Sequence, residues 1–139
     1  MNTEALPTKK ILTLEWARKI GDAALIAAVD QKLDSIVIAV VDDAGMLLYL
    51  LRQDSAEPAA VDIGIAKART AALFRRATKH WKETLLEGKL WVLGMPNMTP
   101  VEGGQPVVVD GKVIGALGIA GASGVLDTQI GTAALAVLS

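Results

Sequence analysis

Apolar positions along this chain fall into blocks of two periods. Leu14, Ala17, Ile20, Ala24, Leu25 and Ala28 recur at helical spacing. Thr13 stands before them as an N-cap, and Glu15 lies in the first turn, where the helix dipole favours a carboxylate. A first helix over about Thr13–Val29 is predicted, preceded by a mostly flexible arm, residues 1–12. Gly21 marks close packing within it. Ser35–Val41 is then β-rich and uninterrupted, as expected of a strand buried on both faces. Asp42-Asp43-Ala44-Gly45 is turn chemistry, and Met46–Arg52 is the return strand.

A second helix is predicted over about Pro58–Phe74, capped by Asp54 or Ser55, with Val61, Ile65, Ala68 and Ala72 on one face. Thr78 caps a short third helix, Lys79–Glu87, closed by Gly88. Lys89–Pro100 is apolar but broken by Gly94 and Pro96, and reads as an edge strand running into a loop.

The stretch Val101–Gly121 organises the rest. Pro106–Val109 and Val113–Ile119 flank Asp110-Gly111, a strong hairpin signal, because a type I′ turn needs φ > 0 at both central residues. Gly103, Gly104, Gly115, Gly118, Gly121 and Gly124 follow closely. A strand glycine marks a bulge or the close approach of a backbone or ligand. These glycines therefore read either as packing positions or as the floor of a pocket. Ser123 or Asp127 opens a last helix, about Val125–Leu138, with Ile130, Ala133, Ala134 and Val137 on its inner side. Tight turns force antiparallel neighbours, so the whole reads as one α+β domain, residues 13–139.

Composition changes this picture in one respect. Of 139 residues 52% are apolar, and the mean hydropathy is +0.41. Ordinary soluble domains are roughly 45–50% apolar. No apolar run reaches the roughly 18 residues of a membrane span, so the excess predicts a subunit interface and a homo-oligomer. The net charge of −1 gives no nucleic-acid footprint. The absence of cysteine excludes disulfides and thiolate sites, and one histidine cannot build a zinc site alone. No metal site is predicted. The opening residues do not resemble a signal peptide, so a cytoplasmic location is expected. There is no P-loop, Rossmann fingerprint or nucleophile elbow.

Few side chains invite chemistry. Asp42 and Asp43 read as turn formers before they read as an acid–base pair. Lys67 sits with Arg69 and Thr70 among alanines. It is either a solvated lysine snorkelling beside a small-residue stripe or an anion contact at a pocket. His80 is either a surface residue or a ligand or base. Trp91, Met95 and Met98 serve either as gap-fillers or as the cover of a flat ligand.

Several stretches together resemble the GlcG/HbpS-like family, which includes the C-terminal domain of PduO-type proteins. They are Val40-Val-Asp-Asp-Ala-Gly45 with Arg52 and Asp54, Lys67-Ala-Arg-Thr-Ala71, Gly103-Gly-Gln-Pro106, Asp110-Gly111, and Gly115-Ala-Leu-Gly-Ile-Ala-Gly121 with Asp127. The ordered set spans nearly the whole chain. The resemblance implies a profilin-like fold: a five-stranded antiparallel sheet, terminal helices on one face and the middle helix on the other. It implies dimers assembling into rings, often octamers, and haem as a ligand of some members.

Two functions follow, with a third as foil. As a haem- or tetrapyrrole-binding protein, the chain would offer Arg52, Lys67, Arg75 or Arg76 to the propionates, and His80 as axial ligand, with Met46, Met95, Met98 and Tyr49 as the other donors. As a catabolic enzyme on an anionic metabolite, it would hold a carboxylate with Arg52, Lys67 and Thr70. The backbone around Gly103, Gly104 and Gly121 would receive the anion, and Asp54, Glu102 or His80 would move the proton. As a structural subunit it would bind nothing.

Overall fold

The Thr13 hydroxyl accepts a hydrogen bond from the Trp16 amide at 3.2 Å and opens helix α1 (Leu14–Asp30) in the computed structural model, which describes residues 1–139. Strands β1 (Val37–Asp42) and β2 (Leu47–Arg52) follow, joined by a turn in which Asp42 Oδ1 accepts from the amides of Ala44 and Met46, both at 2.9 Å. Asp42 is thus a turn former. Helices α2 (Ala59–Leu73) and α3 (Thr78–Leu86) come next, then strands β3 (Gly104–Val109) and β4 (Lys112–Ala120) and helix α4 (Gly124–Leu135). Asp110 (φ 52°) and Gly111 (φ 73°) have the positive φ values of the expected type I′ turn.

The sheet is antiparallel, in the order β2-β1-β4-β3. It has four strands where five were expected. Lys89–Pro100 supplies no edge strand: Leu90–Gly94 forms a 3₁₀ turn, and the residues after it run on irregularly, with Asn97 at φ 60°. Pro96 and Pro100 cannot donate to a ladder, which removes two of the amides a strand here would need.

Two helix starts also differ from expectation. Neither Asp54 nor Ser55 caps α2; Pro58 takes that place without a side-chain bond. Thr78 is the first residue of α3 rather than its cap, because its hydroxyl accepts from the Gly104 amide at 2.9 Å and ties the helix to β3. In α4, Ile130 and Ala134 are buried as expected, but Ala133 is exposed, as is Val137 in the 3₁₀ turn that follows the helix. The inward stripe is completed by Asp127 and Gly131, residues that a search for apolar periodicity passes over.

Side chains alternate across the sheet, and its two faces are built differently. Toward α1 and α4 the packing is bulky, with Ile20, Ile38, Val40, Leu117, Ile119 and Ile130 fully buried. Toward α2 it is made of small residues: Ala39, Val41 and Ala116 meet Ala68, Ala71 and Ala72. Helix α2 therefore rides close to the strands. A Cβ on Gly118 would run into Gly64 O and come within 2.6 Å of Ala68 N, and one on Gly104 would run into Lys67 O. No helix is long and apolar enough to cross a membrane.

Candidate functional site

The close seat of α2 puts a lysine where lysines are rarely found. Lys67 is only 3% exposed and reaches along the small-residue layer to the end of β4. Its Nζ donates to Ile119 O at 2.9 Å and to Asp127 Oδ2 at 3.1 Å. Asp127, 1% exposed in the first turn of α4, accepts from the Ala122 amide through Oδ1 at 3.2 Å. Burial pushes the Asp127 carboxyl above the ordinary range. The Lys67 ammonium and the hydrogen bonds from Lys67 and Ala122 pull it back in part, and the Glu102 carboxylate adds a smaller upward push.

Gly103 (φ 133°) lies against the ammonium: a Cβ there would sit 2.7 Å from Lys67 Nζ. Glu102 is buried beside it, 3.6 Å from Lys82 Nζ and against Gly124, at the start of α4, where the helix dipole favours negative charge. A cleft of about 420 Å³ opens beside Lys67, which lines it together with Ser35, Ser55, Ile63, Val101 and Gly121.

Of the residues expected in a site, Lys67, Glu102, Gly103 and Gly121 therefore come together. Gly104 serves as a packing position under α2. Arg52 and Asp54 are exposed, and their side chains make no hydrogen bond or ion pair. Arg52 ends β2, two strands from β4 and so about 10 Å from where Lys67 is anchored. Thr70 is turned to structure: its hydroxyl donates toward Ala66 O or Asn97 O and accepts from the Thr99 amide at 3.0 Å, pinning the loop before β3. Asp127 was legible as the start of a helix and as part of the family resemblance, with no role attached to it. Its role as partner of Lys67 spans 60 residues of chain and has no local signal.

Most of the expected haem contacts have other partners. His80 Nε2 lies 2.7 Å from Arg76 Nη1. A guanidinium only donates, so Nε2 is the acceptor in this contact and is occupied by it. Arg75 donates to Asp43 O and Ala72 O. Tyr49 is held protonated by burial and by the Asp22 carboxylate beside it, which disfavours a phenolate ligand. Met46 is exposed in the β1–β2 turn.

A second cleft answers haem's needs better. It measures about 190 Å³ and is lined by Ala66, Arg69, Met95, Asn97, Met98 and Thr99. Arg69 Nε is buried without a hydrogen-bond partner. A guanidinium for a propionate and two thioethers that can ligate iron thus share one cleft. The 3₁₀ turn leading into it leaves Leu90, Trp91 and Leu93 exposed. These residues supply the donor types that haem uses, and a cleft of about 190 Å³ takes one edge of the macrocycle rather than the whole ring; sequence reasoning had named the methionines and passed over Arg69 in favour of its neighbours.

Comparison with known proteins places this fold. The chain is 44% identical to protein GlcG of Escherichia coli over 118 residues, 82% of this chain and 84% of that one. Its fold superposes on a double mutant of HbpS from Streptomyces reticuli with a TM-score of 0.87 and 36% identity, covering 96% of this chain and 91% of the other. It superposes on a haem complex of PduOC with a TM-score of 0.82 and 25% identity, covering 91% and 94%. The model of the haem-degrading protein HbpS-like family matches residues 12–136, and the chain belongs to that family.

Proposed function

We propose that the protein is a haem-binding member of this family, with the Arg69–Met95–Met98 cleft as its point of attachment. The observation that carries this reading is Arg69, whose buried Nε has no partner in the chain and which lines one cleft with Met95 and Met98. Arg69 would hold a propionate, Met95 or Met98 would supply a thioether donor to the iron, and Trp91 and Leu93 would cover the apolar macrocycle. Bound haem supplies redox-active iron; the chain supplies the donors that hold it and set its environment. The haem complex of the related PduOC supports the reading.

The protein works as a homo-oligomer, in this reading. Strand β2 is a sheet edge, and Leu47 and Leu50 on its α2 side are exposed. Such a row of unpaired backbone and apolar side chains is a template for a second copy.

The test is a haemin titration followed by size exclusion with mass measurement. The expected result is a saturable complex with a shifted Soret band, a mass above that of one chain, and loss of the shift in Met95→Ala/Met98→Ala. His80→Ala should leave the spectrum unchanged. A Soret shift that survives the double methionine variant and disappears with His80→Ala would transfer the axial role to His80.

A further inference from the structure

The cleft over Lys67 shares no lining residue with the Arg69 cleft. Its volume, about 420 Å³, falls in the range of small-molecule sites, roughly 300–1,000 Å³. An ammonium carries three N–H donors. Lys67 Nζ has two protein acceptors, Ile119 O and Asp127 Oδ2. One donor is left without a protein partner on a side chain that is almost wholly buried and yet lines the cleft.

The negative partner offers nothing comparable. Asp127 Oδ2 faces Lys67 and Oδ1 takes the Ala122 amide, and Asp127 does not line the cleft. Glu102 does not line it either; it faces Lys82 and the start of α4. What the cleft presents is a cationic donor, the serines Ser35 and Ser55, and an apolar wall that includes Ala60, Ile63 and Val101. The other charged lining residue, Glu57, is exposed at the rim.

We propose that this cleft binds a small monocarboxylate with an apolar body, its carboxylate accepting the third N–H of Lys67. A donor that is charged and shielded from water makes the stronger kind of hydrogen bond. One cation lines the cleft, so it matches one carboxylate; a second would meet Glu57. The apolar wall selects a hydrocarbon body over a phosphate or sulfate. This site stands whether or not haem binds at Arg69.

The experiment is calorimetric titration of the intact protein with benzoate and butyrate, against benzamide, butyramide and phthalate. Saturable binding of at least one monocarboxylate is expected, with its amide about tenfold weaker or worse and phthalate weaker than benzoate. Lys67→Met/Asp127→Asn removes both charges together and should abolish binding while circular dichroism shows a folded protein. Ile63→Glu places a carboxylate at an exposed position on the cleft wall, leaves the buried pair in place, and should weaken benzoate at least tenfold. The proposal is overturned if neither acid binds, if the amides match the acids, or if Ile63→Glu binds benzoate as tightly as the native chain.

Discussion

Lys67–Asp127 and Lys9–Asp43 join the same two side chains in different surroundings. The second pair is the shorter, 2.6 Å against 3.1 Å, and lies at the surface, where the arm crosses the β1–β2 turn with side chains 66% and 24% exposed. Its lysine, above all through the hydrogen bond, draws the Asp43 carboxyl below the ordinary range. Lys10 does the same to Asp110 on the opposite hairpin turn. In the Lys67 pair the direction reverses, because burial raises Asp127 by more than its lysine lowers it. Distance alone therefore does not tell what an ion pair does. Removing two charges from water costs more than their attraction returns unless further hydrogen bonds join them, and here Ile119 O and the Ala122 amide are those bonds.

The largest expected effect tests that asymmetry. Lys67→Met leaves Asp127 buried and uncompensated, and should destabilise the fold by about 3–5 kcal/mol. Lys67→Met/Asp127→Leu should recover most of that loss, since an apolar pair of similar volume is often neutral or stabilising. Urea unfolding of both variants measures it. A double variant as unstable as the single would mean that the pair itself, rather than the stranded charge, sustains the structure.

The same contrast explains what could be read from the sequence. Lys9, Asp43 and Asp110 act through turns and termini, and turns announce themselves locally: Asp42–Gly45 and Asp110-Gly111 lie where their residue types place them, and Thr13 and Ser123 cap the helices they precede. The strand glycines were ambiguous, and the structure divides them. Gly104 and Gly118 let α2 approach, while Gly103 and Gly121 line or flank the site. No local pattern divides them, because what each meets lies on another element. The pairing of Asp127 with Lys67 escaped notice for the same reason. Lys89–Pro100 misled in the opposite way: its apolar content resembles a strand, but its prolines deny it a ladder, and its apolar residues are spent on the surface around Trp91 and on the Arg69 cleft.

A smaller effect is expected at the exposed pair. Lys9→Ala should change stability by less than about 1 kcal/mol, and the change should shrink as salt is added. The measurement is urea unfolding at low and high ionic strength. A loss approaching that of Lys67→Met would show that the arm is held by more than its charges.

The finest test follows protons. A group whose folded pKa is raised contributes stability that is fully present below its unfolded value, about 3.9 for Asp, and lost as pH rises through the folded value. Asp127 is such a group. Asp43 and Asp110 are the reverse: their contributions are present above about 3.9 and lost as pH falls through their lowered folded values. Carboxyl carbon shifts followed by NMR from neutral pH downward should therefore show Asp127 protonating first, while Asp43 and Asp110 stay ionised. In Lys67→Met, if it folds, Asp127 should protonate at still higher pH, because the one strong downward influence is gone. An Asp127 that titrates with Asp43 would mean water reaches the pair and that it is a surface bridge in all but position. Separate titrations would place the Lys67 donor in a dry site, where a charged hydrogen bond to a bound carboxylate is strong enough to select acid over amide.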